Sequence, residues 1–276
     1  MKLSKYIFST DRWTLKEIPF PHIFTQQFLS QKFFDVLKGA FPVDLCNQYS
    51  NRAVMGGRKF IGSDSDEFYQ FLDGSPEWGH FWAQLNSEQG VRAFLEYFHD
   101  QLSPEIMLRL EGATFDESYQ KKFDARIRRC MRLDGSVSVV SIVRRKFWSL
   151  LKKLDARFRS ERLYVYMDFS TASDGYGREV HCDNPERITG SVVYFNDLEV
   201  GDTQGGEFVM HSRACCAKSG KIEFKIIDKV IPRENSAIVF LSSANSYHSV
   251  PVMSGFSRDR YFIYFGISST RPVEIA

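Results

Sequence analysis

The sequence predicts a mainly β protein with helical support, in which a double-stranded β-helix, or jelly roll, forms the core. Apolar residues recur at helical spacing in the first part of the chain, whereas apolar and polar residues alternate in short segments after residue 160. Turn signals such as Asn196-Asp197 and Gly205-Gly206 separate those segments, as is typical of sandwiches and jelly rolls. N-terminal and mid-chain helices are expected to pack outside this core.

Helices are predicted in three places before the β region. The first follows Ser30 as N-cap and stops near Gly39 and Pro42. A second helical block runs from about Glu77 to Leu102, with an interruption near Asn86-Ser87. Residues 144–160 place Phe and Leu on one stripe and Lys and Arg on the other, which predicts an amphipathic helix.

Six strands are predicted after these helices, each from a short alternating run. They begin at Leu163, Ile188, Gly206, Lys221, Ala237 and Arg260. We therefore expect a single domain over residues 1–276, with 1–160 as a mostly helical support region and 161–276 as the jelly-roll core.

Composition restricts the class of protein. Hydrophobic residues make up 43% of the chain and charged residues 25%, which is typical of an ordered protein rather than a disordered one. No apolar stretch approaches the roughly 20 residues that span a bilayer, and no signal-peptide core is present. The five cysteines are odd in number and lack CxxC spacing, which favours reduced thiols and a cytoplasmic location.

Basic charge is concentrated in residues 121–162, where fourteen Lys or Arg stand against four Asp or Glu. One interpretation is recognition of an anionic partner. The other is a solvated helix face whose apolar side packs on the core, and the apolar stripe of the segment favours it. The sequence contains no nucleic-acid-binding motif.

Two histidines and an aspartate form the candidate metal site. His181 and Asp183 lie at positions i and i+2 of an expected extended segment, so that both side chains would point to the same side. His248 would arrive from a later strand and complete the set. Two imidazoles and one carboxylate hold Fe(II) while they leave the opposite face open.

Two arginines follow the second histidine, Arg258 at ten residues and Arg260 at twelve. Both are expected on one side of the following strand. A guanidinium there can bind the distal carboxylate of a dicarboxylate in a bidentate pair.

This HxD…H…R pattern resembles that of the Fe(II)/2-oxoglutarate-dependent oxygenase superfamily, in its prolyl-hydroxylase-like branch. The resemblance covers roughly residues 160–270, with a weaker match at the N-terminal PFPHIF segment and the helix after it. It implies that His181, Asp183 and His248 bind iron and that an arginine anchors the C5 carboxylate of 2-oxoglutarate. Spacing from His248 favours Arg258 and the position ahead of the apolar strand favours Arg260, to which we give preference.

Further residues are nominated on the same resemblance. Tyr166 and Tyr194 lie on suitable strands to help hold the 2-oxoglutarate carboxylate, although a strand tyrosine is more often a packing residue. Asn184 and Arg187 directly follow the HxD pair, so they would face the substrate or the metal ligands; a loop salt bridge is the equal alternative for Arg187. The remaining histidines are expected to be structural or surface residues.

The implied activity is an oxidation that consumes 2-oxoglutarate and O2 at Fe(II), with ascorbate as an optional further cofactor, and releases succinate and CO2. The presence of Asp183 favours hydroxylation over halogenation, because related halogenases lack this carboxylate. The substrate is not identified; an anionic small molecule, a saccharide and a carrier-bound residue are all compatible. The alternatives are a non-catalytic jelly-roll module whose basic region docks an anionic partner, and a cupin-type metalloenzyme that does not use 2-oxoglutarate.

Overall fold

The structure is a computed structural model that describes residues 3–49, 57–119, 160–198, 204–215 and 222–275. The helix expected at residues 144–160 and nearly all of the basic segment 121–162 lie outside these ranges. No described helix is long and apolar enough to cross a membrane.

The described α-helices all precede residue 112. They are α1 (Gln31–Gly39), α2 (Val43–Tyr49), α3 (Asp66–Asp73), α4 (Pro76–Leu85), α5 (Glu88–Glu96) and α6 (Pro104–Glu111). The first predicted helix is thus confirmed, as is the interruption at Asn86-Ser87, where Ser87 caps α5 by accepting a hydrogen bond from the Gly90 amide. Helices α2, α3 and α6 were not predicted.

Twelve strands are present in the described residues. They are β1 (Thr14–Lys16), β2 (His22–Thr25), β3 (Arg58–Gly62), β4 (Thr114–Phe115), β5 (Arg162–Ala172), β6 (Arg178–His181), β7 (Thr189–Tyr194), β8 (Phe208–Cys215), β9 (Ile222–Val230), β10 (Ala237–Leu241), β11 (His248–Val250) and β12 (Arg260–Ser269). All six predicted strands are among them, and β10 has the predicted bounds.

These strands form two sheets, which confirms the mainly β class with helical support. The large sheet has the order β1-β2-β10-β7-β12-β5-β3, with β4 added parallel to β5, and the small sheet has the order β6-β11-β8-β9. Over the described residues the two sheets form the layers of a jelly roll and are not hydrogen-bonded into a closed barrel.

Each face of the large sheet has its own apolar core. The outer cluster joins alternate residues of the central strands to the N-terminal helices; for example, Phe169 of β5 contacts Phe68 and Trp78 at ring-centroid distances of 5.5 and 4.7 Å. The inner cluster lies between the sheets and includes Tyr194, Phe208, Met210, Phe240 and Phe262. The helices therefore support the large sheet from outside, and its inner face is free to line a site.

Candidate metal centre

The three predicted metal ligands come together at the small sheet. His181 is the last residue of β6 and His248 is the first residue of β11, and the two are paired in register. One potential ligand atom from each of His181, Asp183 and His248 lies within 4.8 Å of the others. Within the described residues, this is the only such group of three or more His, Cys, Asp or Glu side chains.

His181 and Asp183 come together as predicted, but they do not lie on one regular strand. Strand β6 ends at His181, and Asp183 lies in the loop that follows. The chain turns there because Asn184 accepts a hydrogen bond from the Glu186 amide through Oδ1 and one from the Arg187 amide through its carbonyl. Asp183 therefore lies just ahead of this turn and outside β6, so that strand pairing does not fix its carboxylate.

Both histidines present the same nitrogen to the site. Nδ1 of His181 lies 2.8 Å from the Glu179 carbonyl oxygen, and Nδ1 of His248 lies 2.9 Å from the Ser246 carbonyl oxygen. Because a carbonyl oxygen only accepts, Nδ1 carries the hydrogen in each ring, and the lone pair is left on Nε2. This tautomer is the one in which Nε2 can bind a metal.

Burial keeps both rings neutral. The His248 ring stacks on Phe208 at 5.1 Å and contacts Phe240 at 4.8 Å. This burial lowers the pKa of His248 to about 4, against the opposing effect of Asp183, and burial also lowers the pKa of His181. Neither imidazole has to lose a proton near pH 7 before it binds a metal ion.

Asp183 is held by residues that the sequence did not point out. The Tyr264 hydroxyl donates a hydrogen bond of 3.2 Å to Asp183 Oδ2, while Asp183 Oδ1 lies 4.0 Å from His181 Nε2. Gly190 leaves space for the same carboxylate, because a Cβ there would lie 3.0 Å from Oδ2. Tyr264 lies four residues after Arg260 on β12, and residues an even number of positions apart on a strand face the same side. This spacing could have identified Tyr264 as a residue on the same face as Arg260.

Arg178 also contacts the triad. Its Nε donates a hydrogen bond of 3.1 Å to His181 Nε2, the nitrogen that the tautomer leaves free for a metal. A metal ion bound at this nitrogen would replace that hydrogen bond. Two imidazole nitrogens and one carboxylate oxygen otherwise fit Fe(II), because this donor set leaves positions open on the ion.

Arg258 and Arg260 occupy different environments, so the expectation that they share one side of a strand is wrong. Strand β12 begins at Arg260, and Arg258 lies in the exposed bend ahead of it. Arg260 is buried between the sheets, where it donates a hydrogen bond to the Gly206 carbonyl oxygen, and its buried Nε has no hydrogen-bond partner among the described residues. Since a buried unpaired donor is costly, Arg260 is suited to bind an anion there.

The two nominated tyrosines lie in different parts of the inner face. The guanidinium carbon of Arg260 is 5.7 Å from the ring centroid of Tyr194, whose pKa burial raises to about 12. Tyr166 instead lies 6.5 Å from Tyr264 and 6.0 Å from the guanidinium carbon of Arg187. Tyr194 therefore borders Arg260, and Tyr166 borders the residues around Asp183.

Arg187 lies beside the triad without a carboxylate partner in the described part of the chain. Its guanidinium carbon is 4.9 Å from the Tyr264 ring centroid, and its buried Nε has no hydrogen-bond partner within the described ranges. Other arginines of this region have such a partner: Arg58 pairs with Asp168 at 2.7 Å, and Arg162 pairs with Asp116 at 3.0 Å. The loop salt bridge considered for Arg187 is therefore not seen among the described residues.

Residues 165–265 match the family model described as the 2OG-Fe(II) oxygenase superfamily, and no curated protein matches. The match contains the complete triad, Arg260 and Tyr264.

Solved structures with similarity to this chain share little sequence with it. A Pseudomonas putida prolyl-4-hydroxylase is 13% identical, with 93% of this chain and 92% of that chain covered and a TM-score of 0.42. A Phytophthora capsici prolyl 4-hydroxylase is 12% identical, with 90% and 58% covered and a TM-score of 0.48. Streptomyces hygroscopicus HygX, solved with nickel and 2-oxoglutarate bound, is 12% identical, with 38% and 56% covered and a TM-score of 0.28.

The family match agrees with the donor set of the triad. It confirms the resemblance to the superfamily seen in the sequence, and the cofactors that this family implies are Fe(II), 2-oxoglutarate and O2. Over residues 165–265 the chain is thus similar to the 2OG-Fe(II) oxygenase superfamily.

Proposed function

We propose that this protein is a 2-oxoglutarate-dependent dioxygenase of the hydroxylase type, which oxidises its substrate and releases succinate and CO2. Two features of the space between the sheets carry the proposal together. One is the triad, and the other is the buried Arg260, whose Nε has no hydrogen-bond partner in the part of the chain that the structure describes. A triad alone would also suit a metalloenzyme without this cosubstrate. The arginine adds a site for the distal carboxylate of a dicarboxylate.

The roles of the residues follow from their contacts. His181 and His248 would bind Fe(II) through Nε2 and Asp183 through a carboxylate oxygen. Arg260, bordered by Tyr194, would hold the C5 carboxylate of 2-oxoglutarate. Fe(II), 2-oxoglutarate and O2 supply the oxidising chemistry when bound, and the protein supplies their placement in a site from which apolar rings exclude water.

An anionic group on the substrate is favoured by the charges beside the triad. Arg178 contacts His181, and Arg187 lies over Tyr264 without a carboxylate partner among the described residues. We therefore retain an anionic small molecule or an anionic carrier-bound residue ahead of a neutral saccharide. A cytoplasmic location stays a prediction.

The test is succinate release from 2-oxoglutarate under O2 by the wild type and the variants Asp183→Ala, Arg260→Ala and Arg258→Ala. We expect wild-type turnover even without substrate, and loss of that turnover in Asp183→Ala. Removal of a charge-assisted pair of about 2–3 kcal/mol should raise the KM for 2-oxoglutarate roughly 30- to 150-fold in Arg260→Ala. Arg258→Ala is the matched control and should retain the wild-type KM.

Two results would contradict this assignment. Absence of wild-type succinate release above the Asp183→Ala background would favour the non-catalytic jelly-roll module. A raised KM in Arg258→Ala together with a normal KM in Arg260→Ala would move the carboxylate site to the exposed bend.

A further inference from the structure

Tyr264 contacts the triad through its hydrogen bond to Asp183. Neither the HxD…H…R motif nor the family match explains this contact. We propose that Tyr264 is a positioning residue for the metal site, whose hydroxyl holds Asp183 Oδ2 so that Asp183 presents Oδ1 alone to the ion. This inference rests on the proposed function only in that the triad binds a metal.

The hydrogen bond from Tyr264 gives the two carboxylate oxygens of Asp183 different roles. Tyr264 donates to Oδ2 at 3.2 Å, and Oδ1 is the oxygen within 4.0 Å of His181 Nε2. An oxygen engaged by a fixed donor is less available as a second ligand. The geometry therefore favours binding of the metal through one oxygen of Asp183.

Asp183 needs such a constraint because of its place in the chain. His181 and His248 are fixed by paired strands and by Nδ1 hydrogen bonds, whereas Asp183 lies in the loop after β6. A loop side chain has more rotamer freedom to lose on metal binding. A hydrogen bond from a strand residue supplies the orientation that the loop does not.

Tyr264 is itself well fixed. It belongs to β12, which lies inside the large sheet, and it is paired in register with Asp168 of β5 and Val192 of β7. Its ring is contacted by the guanidinium of Arg187 at 4.9 Å and faces the ring of Tyr166 at 6.5 Å. The hydroxyl therefore has a defined position relative to Asp183.

The consequence concerns the open positions on the ion. With three protein ligand atoms, a six-coordinate ion keeps three positions for other ligands, enough for a bidentate cosubstrate and one small molecule. If Oδ2 were released, Asp183 could bind through both oxygens and take one of these positions. Tyr264 is thus expected to affect both the affinity and the coordination number of the metal.

Anaerobic Co(II) titration followed by visible absorption tests the inference on purified protein. Loss of such an outer hydrogen bond typically weakens metal binding about 10- to 100-fold, which is the change expected in Tyr264→Phe. The matched control is Tyr261→Phe, on the same strand but packed against Phe41 on the opposite face of the sheet. We expect Tyr261→Phe to bind Co(II) with nearly the wild-type affinity.

A double-mutant cycle separates positioning from a general structural effect. If Tyr264 acts through Asp183, then Tyr264→Phe should change neither the residual Co(II) affinity nor the Co(II) spectrum in an Asp183→Ala background. The spectrum of Tyr264→Phe should differ from that of the wild type when Asp183 is intact, because the ligand set differs. Circular dichroism and urea unfolding establish that each variant is folded.

Each outcome decides the matter. Wild-type affinity and spectrum in Tyr264→Phe would overturn the inference while the triad and the proposed function stand. An equal loss of affinity in the Asp183→Ala background would show a structural role only. Absence of Co(II) binding in the wild type would overturn this inference and the proposed function together.

Discussion

Gly190 shows how a single residue without a functional group shapes the metal centre. A Cβ at this position would lie 2.5 Å from Phe240 Cζ and 3.0 Å from Asp183 Oδ2. Phe240 in turn contacts the His248 ring at 4.8 Å. Because Gly190 has no side chain, the Asp183 carboxylate and the Phe240 ring that contacts His248 can both lie close to β7.

Substitution of Gly190 by alanine should disturb both contacts. We expect Gly190→Ala to lower the free energy of unfolding by about 1–3 kcal/mol, as overpacking does, and to weaken Co(II) binding because Asp183 must shift. Gly39→Ala is the control, since its added Cβ would meet no heavy atom of the described residues within 4 Å beyond its chain neighbours and its own helix backbone, and it should be neutral or stabilising. Urea unfolding and Co(II) titration measure the two effects; unchanged values in Gly190→Ala would show that the close approach has no consequence.

At the scale of elements, a buried ion pair joins a strand of the N-terminal half to the core. Arg58 of β3 donates to both carboxylate oxygens of Asp168 on β5, at 2.7 and 2.8 Å, and the Asp168 side chain is only 3% exposed. Ser170 of β5 adds hydrogen bonds to both partners. The pair fixes β3 at the edge of the large sheet, on the inner face that also carries Tyr264.

Loss of one partner should cost more than loss of both. Asp168→Ala leaves Arg58 largely buried and unpaired, so we expect a decrease of about 3–5 kcal/mol in the free energy of unfolding, whereas Arg58→Met with Asp168→Leu should recover most of it. The exposed pair of Lys38 and Glu234 is the control, where Glu234→Ala should change stability by less than about 1 kcal/mol. Urea unfolding of the wild type, Asp168→Ala, the double variant and Glu234→Ala measures these differences. Similar free energies of unfolding for Asp168→Ala and Glu234→Ala would refute the prediction.

The sequence predicted those strands whose residue pattern is visible within one short segment, and it missed those that depend on pairing between distant segments. Strands β5, β7, β10 and β12 were predicted because each is a run of five or more residues rich in β-branched or aromatic side chains. Strand β11 has three residues, too few to show a period, and it pairs with strands that are distant in the sequence, β6 and β8.

The same distinction applies to the metal centre. The HxD pair and His248 were visible as a motif, whereas the contact of Tyr264 with Asp183 joins residues 81 positions apart. The choice between Arg258 and Arg260 depended on where β12 begins, which is set by its pairing with β5. Counting along the chain could not supply that register.

At the scale of the whole molecule, the N-terminal half completes the sheet on which the site is built. The family match covers residues 165–265, yet β2 pairs with β10 and β3 pairs with β5 in the same sheet. The outer face of that sheet is covered by helices α1, α3, α4 and α5, whose aromatic residues contact Phe169, Phe195 and Phe265. The division at residue 160 therefore does not separate two independent cores in the described structure.

A fragment of residues 160–276 should consequently not fold alone, even though it contains the complete triad and Arg260. It would expose one whole face of the large sheet, including Val165, Phe169, Ile263 and Phe265, which are buried in the full chain. Such a continuous apolar face favours aggregation. We expect the fragment to lack a cooperative urea transition and to bind Co(II) far more weakly than the full chain does. A monodisperse fragment that unfolds cooperatively and binds Co(II) with full-length affinity would instead show that the helical region is dispensable, and that the inner face alone specifies the metal centre.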